Sequence, residues 1–327
     1  MAREAWRGAK LADVARAAGV SPATASRALS GRGPASAAVR ARVASAAREL
    51  GYVPNAAARA LATRGGPRVA VGVGGRSAHV LADPYVARVV AAAARVAGAH
   101  EAGVSLHWLP LHDPGALARL GEDRGVGGIV VVNPTPELLA AVPRAARGRV
   151  AAIGVGTREV PAFDVDNGGG TASVVAHLLS SGRRRIAMVT GAAWLPCVRR
   201  AVDAYERLVG GAGCPARVVP GDFTAARGEV AALEVLARWP DTDAVYALGD
   251  LSALGALGAL RRAGVDVPGD VAVAGFDDLA VASPSRLTTS TNPVEEIAAG
   301  AAVAVLDRYR GVPERLYPST LVLRDSA

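Results

Sequence analysis

Residues 11–30 read Leu-Ala-Asp-Val-Ala-Arg-Ala-Ala-Gly-Val-Ser-Pro-Ala-Thr-Ala-Ser-Arg-Ala-Leu-Ser, and the order of apolar, Gly, Ser and Pro residues in them sets the architecture. Leu11, Val14, Ala15 and Ala18 recur at i, i+3, i+4 and i+7, one apolar face of a short helix. Gly19 stops it, because glycine takes the left-handed position after a helix at no steric cost. Ser21 then suits an N-cap and Pro22 the first helical position. A second helix runs on through Leu29 and ends near Gly31. Ser36 caps a third over 37–50, with Val39, Val43, Ala46, Ala47 and Leu50 facing inward and Gly51 as terminator. Helix, tight turn, helix and supporting helix is the helix-turn-helix arrangement; a plain three-helix bundle is the alternative.

The charge around this stretch separates the two. Residues 1–66 hold eleven Lys or Arg against three acidic residues, which accounts for the entire formal net charge of +8. The rest of the 327-residue chain is balanced. Excess positive charge confined to a small helical head marks a polyanion partner, so the pattern favours a DNA reader. Over the whole chain, 51% hydrophobic and 20% charged residues supply ample core and argue against disorder. The two cysteines, Cys197 and Cys214, form no CxxC pair, which excludes a disulfide scaffold or zinc ribbon and fits a reducing compartment. No run reaches the ~20 apolar residues of a membrane span. The first ten residues lack an apolar signal core. The expected location is the cytoplasm, with no membrane partner.

From Arg68 onward, apolar runs alternate with helical patterns. Strands are expected at 69–73, 104–109, 128–132, 150–153, 185–190, 217–219, 244–247 and 271–274. Helices are expected at 85–99, 168–181, 197–209, 225–237, 251–263 and 294–310. Runs such as Gly-Ile-Val-Val-Val (128–132) lack period-2 alternation, as strands covered on both faces do. Alternating units of this kind build parallel α/β sheets, with the ligand crevice at the carboxyl ends of the strands. There are enough units for two doubly wound lobes.

The run 11–30, followed by Glu-Leu-Gly-Tyr-Val-Pro-Asn-Ala-Ala-Ala-Arg-Ala-Leu (49–61), resembles the lactose-repressor (LacI/GalR) family. So do Asp83-Pro84-Tyr85, Val165-Asp166-Asn167, Gly182-Arg183-Arg184-Arg185-Ile186, Gly221-Asp222-Phe223 and Gly275-Phe276-Asp277-Asp278. The resemblance implies an all-α helix-turn-helix head at 1–52, a hinge helix and linker at 53–67, and a periplasmic-binding-protein-like effector and dimerisation core at 68–327. It divides the core into lobe one, about 68–163 plus 292–317, and lobe two, about 164–291 plus 318–327. Within the head it implies that Pro22, Ala23 and Arg27 enter the major groove. Arg27 would bind guanine in a bidentate way and the other two would offer apolar contact. Ser21, Thr24 and Ser26 are placed for phosphates. Asn55 can cap a short Ala-rich helix, and the resemblance makes Leu61 a wedge that unstacks a central CG step in the minor groove; packing between domains is the alternative role.

Carried over by position, the effector cleft would be lined by Tyr85, Val86, Trp194, Arg199, Phe223, Asp250 and Asp277. Aromatic faces and carboxylates suit a neutral polyhydroxylated ligand. The chain departs from the family where Ala201 stands at the position of an Arg that often reaches the ligand, and where Gly249 replaces the Asn of an Asn-Asp pair. It also has Lys10 for the usual Thr cap and Ala25 for the usual Val. The resemblance implies a transcriptional repressor that binds a palindromic operator in double-stranded DNA as a homodimer or tetramer and is released by a small metabolite, a sugar first. A regulator that needs a purine or other corepressor is the alternative within the family. A transport binding protein lacks support beside this head, and so does a sugar-acting enzyme: no GxxxxGK[ST], GxSxG or HExxH occurs. The five His have no metal spacing, and no cofactor is expected.

Overall fold

The computed structural model describes residues 9–30, 36–52, 68–307 and 313–327. The chain divides into two compact units, Met1–Gly66 and Pro67–Ala327. In the first, α1 (Leu11–Ala17), α2 (Pro22–Ser30) and α3 (Ala37–Glu49) enclose Val14, Ala15, Ala18, Ala25, Val43, Ala46 and Ala47. With Lys10 at the N-cap, the cap is supplied from inside the helix: Asp13 Oδ2 accepts from the Lys10 N–H at 3.0 Å. Ser21 Oγ accepts from the Thr24 N–H at 3.1 Å and Ser36 Oγ from the Val39 N–H at 3.3 Å, which starts α2 and α3. Leu50 corrects the expected core, since it is 41% exposed. Gly51, at φ +58, turns the chain so that the Tyr52 N–H reaches the Ala47 carbonyl at 2.8 Å, and Tyr52 covers the core edge in place of Leu50. The hinge expected at 53–67, with Asn55 and Leu61, lies outside the described residues.

The second unit holds two parallel sheets. Strands β1 (Arg68–Gly75), β2 (Val104–Pro110), β3 (Val126–Val132), β4 (Val150–Ile153) and β5 (Ala162–Val165) lie in the first; β6 (Ile186–Val189), β7 (Arg217–Val219), β8 (Ala244–Ala247) and β9 (Ala272–Ala274) form the second. Short β10 (Thr289–Ser290) precedes β11 (Glu314–Tyr317) and β12 (Leu321–Val322). The orders are β11-β5-β4-β3-β1-β2 and β7-β6-β8-β9, with β10 antiparallel to β12. Strands β5, β10 and β11 were not expected from the sequence. Each is at most four residues long, too short for a periodic signal.

Both faces of each sheet are covered, which explains the unbroken apolar runs. In the first lobe Val69, Val71, Val73 and Val130 meet Val89 and Ala93 of α4 (Pro84–Ala99), while Ala70, Ile129 and Val131 join Leu117 of α5 (Gly115–Glu122) and Leu138 of α6 (Pro136–Ala140). In the second, Ile186, Met188 and Tyr246 pack with α7 (Asn167–Ser180) and α8 (Pro196–Gly211). On its other face Ala187, Val189 and Val245 meet α9 (Ala225–Arg238) and α10 (Asp250–Arg262). The last helix, α11 (Val294–Leu306), returns to the first lobe beside α4. The chain therefore passes between lobes after β5, after β10 and after β11.

Tyr205 shows how the second lobe is fastened. It is fully buried, and its hydroxyl donates to the Ile186 carbonyl at 2.7 Å while accepting from the Arg217 N–H at 2.8 Å. Tyr205→Phe leaves that N–H without its partner, so unfolding free energy should fall by about 1–3 kcal/mol in urea titrations with the m-value unchanged.

Candidate functional site

The head presents the start of α2 to solvent. Ser21, Pro22, Ala23, Ser26 and Arg27 are exposed, Thr24 is half-buried, and Ala25 on the opposite side is fully buried. Packing thus forces this helix to show one face, and that face carries the reading positions. Arg27 lies along its own helix, with Nε donating to the Ala23 carbonyl at 3.2 Å and Nη2 to Thr24 Oγ1 at 3.5 Å. These contacts lay the guanidinium along the exposed turn. Arg40 and Arg42 of α3 are exposed as well.

In the second unit the carboxyl ends of both sheets face an open cleft. Tyr85 at the start of α4, Phe223 after β7 and Asp277 after β9 line it, as do Asp83, Asn133, Asp164, Asn167, Cys197 and Asn292. Asp83 caps α4, its Oδ1 accepting from the Tyr85 N–H at 2.8 Å, and so orients the ring that follows. Phe223 lies flat on Gly191: a Cβ there would come within 1.8 Å of the ring, so only glycine admits it. Phe223 and Asp277 have positive φ, +70° and +107°, conformations fixed by the surrounding loops. The Asp277 N–H donates to the Ser290 carbonyl at 2.8 Å, and its Oδ1 accepts from Asn292 Nδ2 at 2.9 Å. Asn292 Oδ1 is buried and has no partner.

The electrostatics follow from burial. Desolvation pushes the Asp277 carboxyl up to about 7, against the Asn292 hydrogen bond. It raises Asp83 as well, and Asp164 to about 6, where the Arg200 charge opposes it. Burial also drives the Cys197 thiol up to about 12, which removes it as a nucleophile. The cleft is an apolar slot with aromatic faces, carboxylates and one buried oxygen acceptor, Asn292 Oδ1, that lacks a donor. Among the described residues no group of three His, Cys, Asp or Glu could hold a metal ion.

Four expected cleft residues are not in its lining. Val86 is 1% exposed and points into the first lobe's core, because it is one residue out of phase with Tyr85 on α4. Trp194 packs on the core between β6 and α8. Arg199 is 88% exposed and lies near Asp203, on the solvent face of α8. Asp250 is fully buried behind the cleft, accepting from the Leu279 N–H at 2.7 Å and the Thr289 hydroxyl at 2.6 Å. Conversely, Asn133, Asp164, Cys197 and Asn292 were missed. Asn133 and Asn292 sit just past apolar strands or turns, where a polar residue at a carboxyl end is the available signal; Asp164 interrupts a four-residue strand and gives none.

Comparison with known proteins places this architecture. Residues 10–55 match the lacI family of bacterial regulatory proteins and residues 175–327 the periplasmic binding protein-like domain. The HTH-type transcriptional regulator CelR of Thermobifida fusca is 35% identical over 332 residues, spanning 95% of this chain and 94% of that protein. The chain belongs to the lacI family. This lacI-family protein is a DNA-binding transcriptional regulator. Its structure is similar to that of a CelR–cellobiose complex, with 30% identity, a TM-score of 0.69 and coverage of 98% of this chain and 100% of that one. It is also similar to the lac repressor bound to ONPG, with 25% identity, a TM-score of 0.82 and the same coverage. Among the described residues of the regulator, no helix is long and apolar enough to cross a membrane.

Two outcomes follow for the regulator. Arg27→Ala should relax preference at one symmetric base pair by ~1–3 kcal/mol in selection from random duplexes, whereas Arg40→Ala should weaken all sequences alike. For Asp277 the folded carboxyl titrates near 7, above its ordinary 3.8. Its contribution to stability is therefore full below about pH 4 and is lost as pH rises through 7. Asp277→Asn should flatten that part of the urea-midpoint decline between pH 4 and pH 8; an unchanged slope would count against the buried-carboxyl assignment.

Proposed function

We propose that this regulator is a cytoplasmic repressor that binds a palindromic operator as a homodimer and is released when a neutral sugar enters the cleft between its lobes. The reading keeps the head at 1–52, the hinge at 53–67 with Asn55 as its cap and Leu61 as its wedge, and the core at 68–327. It takes lobe one as about 68–163 plus 292–317 and lobe two as about 164–291 plus 318–327. Ser21, Thr24 and Ser26 serve phosphates; Pro22, Ala23 and Arg27 face bases. One exposed turn of α2 spans only a few base pairs, so operator length favours a two-fold dimer. Val230 and Leu233, 53% and 48% exposed one turn apart on α9, offer apolar area to a second copy.

The observation that carries the ligand class is the pair Asp277–Asn292. Asp277 Oδ1 accepts from Asn292 Nδ2, and Asn292 Oδ1 is a buried acceptor without a donor. Between Tyr85 and Phe223, such groups are satisfied by hydroxyls presented from a ring that stacks on aromatic faces. That the related CelR has been solved with cellobiose supports the same class. A ligand shifts the operator equilibrium only by its differential affinity for two states, and about 1–3 kcal/mol is the usual scale.

Gel-shift titration against a selected operator, with cellobiose, maltose and other neutral disaccharides, tests this reading. Asp277→Ala should leave ligand-free operator affinity intact and abolish release. Release that persists in this variant removes Asp277 from the site, and tighter operator binding with ligand would reverse the sign to that of a corepressor.

A further inference from the structure

An ion pair joins the two lobes at the edge of the cleft, where Asp164 belongs to the lining and Arg200 reaches it from behind. Asp164 belongs to β5 of the first lobe, and Arg200 to α8 of the second. Arg200 Nη2 donates to Asp164 Oδ2, and Asp164 Oδ1 accepts from the Val165 N–H at 2.9 Å. The Asp164 side chain is only 8% exposed and that of Arg200 33%. Ala201, the position where the family resemblance expects an arginine, is fully buried in the core. Its neighbour Arg200 therefore supplies the cation, from a different azimuth of the helix and onto a carboxylate of the opposite lobe.

A buried pair of this kind is poor glue. Desolvating both ions offsets most of their attraction, while separating them leaves each without a partner. A ligand that displaces Arg200 from Asp164 has to satisfy both. The chemistry required is narrow, because the carboxylate only accepts hydrogen bonds and the guanidinium only donates them. A phosphate or uronate would satisfy Arg200 but would face Asp164, with Asp83 and Asp277 in the same lining. An amine would satisfy Asp164 and leave Arg200 unpaired. Two adjacent hydroxyls do both tasks.

We infer that Asp164 and Arg200 read a vicinal diol of the effector: one hydroxyl donates to Asp164 while the oxygen of its neighbour accepts from Arg200, so the ligand replaces the direct contact between lobes. This rests on the cleft being the sugar site and adds the feature that selects among sugars. It makes both residues specificity determinants. It also explains how the site manages without an arginine at 201, and it sets a rule for exclusion: a ring that lacks the hydroxyl donating to Asp164 is rejected, because it leaves the buried carboxylate unpaired.

Calorimetry on the full chain tests it, with cellobiose, maltose, lactose and sucrose as probes, then the monodeoxy derivatives of the best binder. The wild type should bind one or two of these derivatives about 100-fold more weakly than the parent. The double variant Asp164→Asn/Arg200→Gln should bind the parent more weakly and show a parent-to-deoxy ratio near unity, with operator affinity retained as proof of folding. A wild-type ratio retained in the double variant overturns the inference, as does equal binding of every monodeoxy derivative by the wild type. Failure of all four disaccharides to bind the wild type would instead refute the sugar reading of the cleft. Asp277→Ala separates the two levels, since it should abolish binding of every probe and not only the discrimination.

Discussion

The Asp250 carboxylate is the fixed point of the effector core. It sits at the start of α10 with no exposure, and its backbone N–H donates to the Phe276 carbonyl at 2.8 Å. Its two oxygens hold the Leu279 N–H and the Thr289 hydroxyl. The turn between Phe276 and Leu279 is thereby pinned at both ends, which is what keeps Asp277 and Asp278 at positive φ. Burial pushes the Asp250 carboxyl up to about 6, with these hydrogen bonds opposing it. The carboxylate that appears to be a ligand group by position is therefore the support on which a neighbouring carboxylate is presented.

That support is coupled to the route of the chain. Thr289 lies in β10, which pairs with β12 and leads directly to Asn292 and α11. Arg88 of α4 donates to Glu295 at 2.8 Å and to the Asn292 carbonyl at 3.1 Å, tying the first lobe to the same junction. Asp277 and Asn292 thus join the cleft to a segment both lobes share. A rotation of one lobe against the other has to pass through these contacts, and packed elements of this kind prefer discrete arrangements to gradual ones.

The head was legible almost to the residue, because Gly19, Ser21, Pro22, Ser36 and Gly51 are local signals with local causes. Only Leu50 went astray, since the left-handed turn at Gly51 hands its place to Tyr52. The long buried strands and helices of the core were legible for the same reason. Strands β5, β10 and β11 were not: β5 is held by β4 and β11 on either side, a long-range pairing invisible in Ala-Phe-Asp-Val. The site was half legible. Tyr85, Phe223 and Asp277 line the cleft, but helical phase turned Val86 and Arg199 away from it. Asp164 and Arg200 meet across lobes that are 36 positions apart in sequence, a juxtaposition set by topology alone.

The late return of the chain has a consequence for its synthesis. Strand β11 covers the outer edge of β5, and Ser326 accepts from the Val273 N–H at 2.7 Å, covering the free edge of β9. At about 5–20 residues per second, roughly ten seconds or more separate translation of β5 from that of β11. The Ala-Phe-Asp-Val edge stays bare for that interval, and the Ala-Val-Ala edge from its own synthesis until Ser326 follows, both open templates for pairing with another chain. A message truncated before residue 314 would release both lobes in that state, so fidelity at the far end of the reading frame guards against aggregation as much as against loss of regulation.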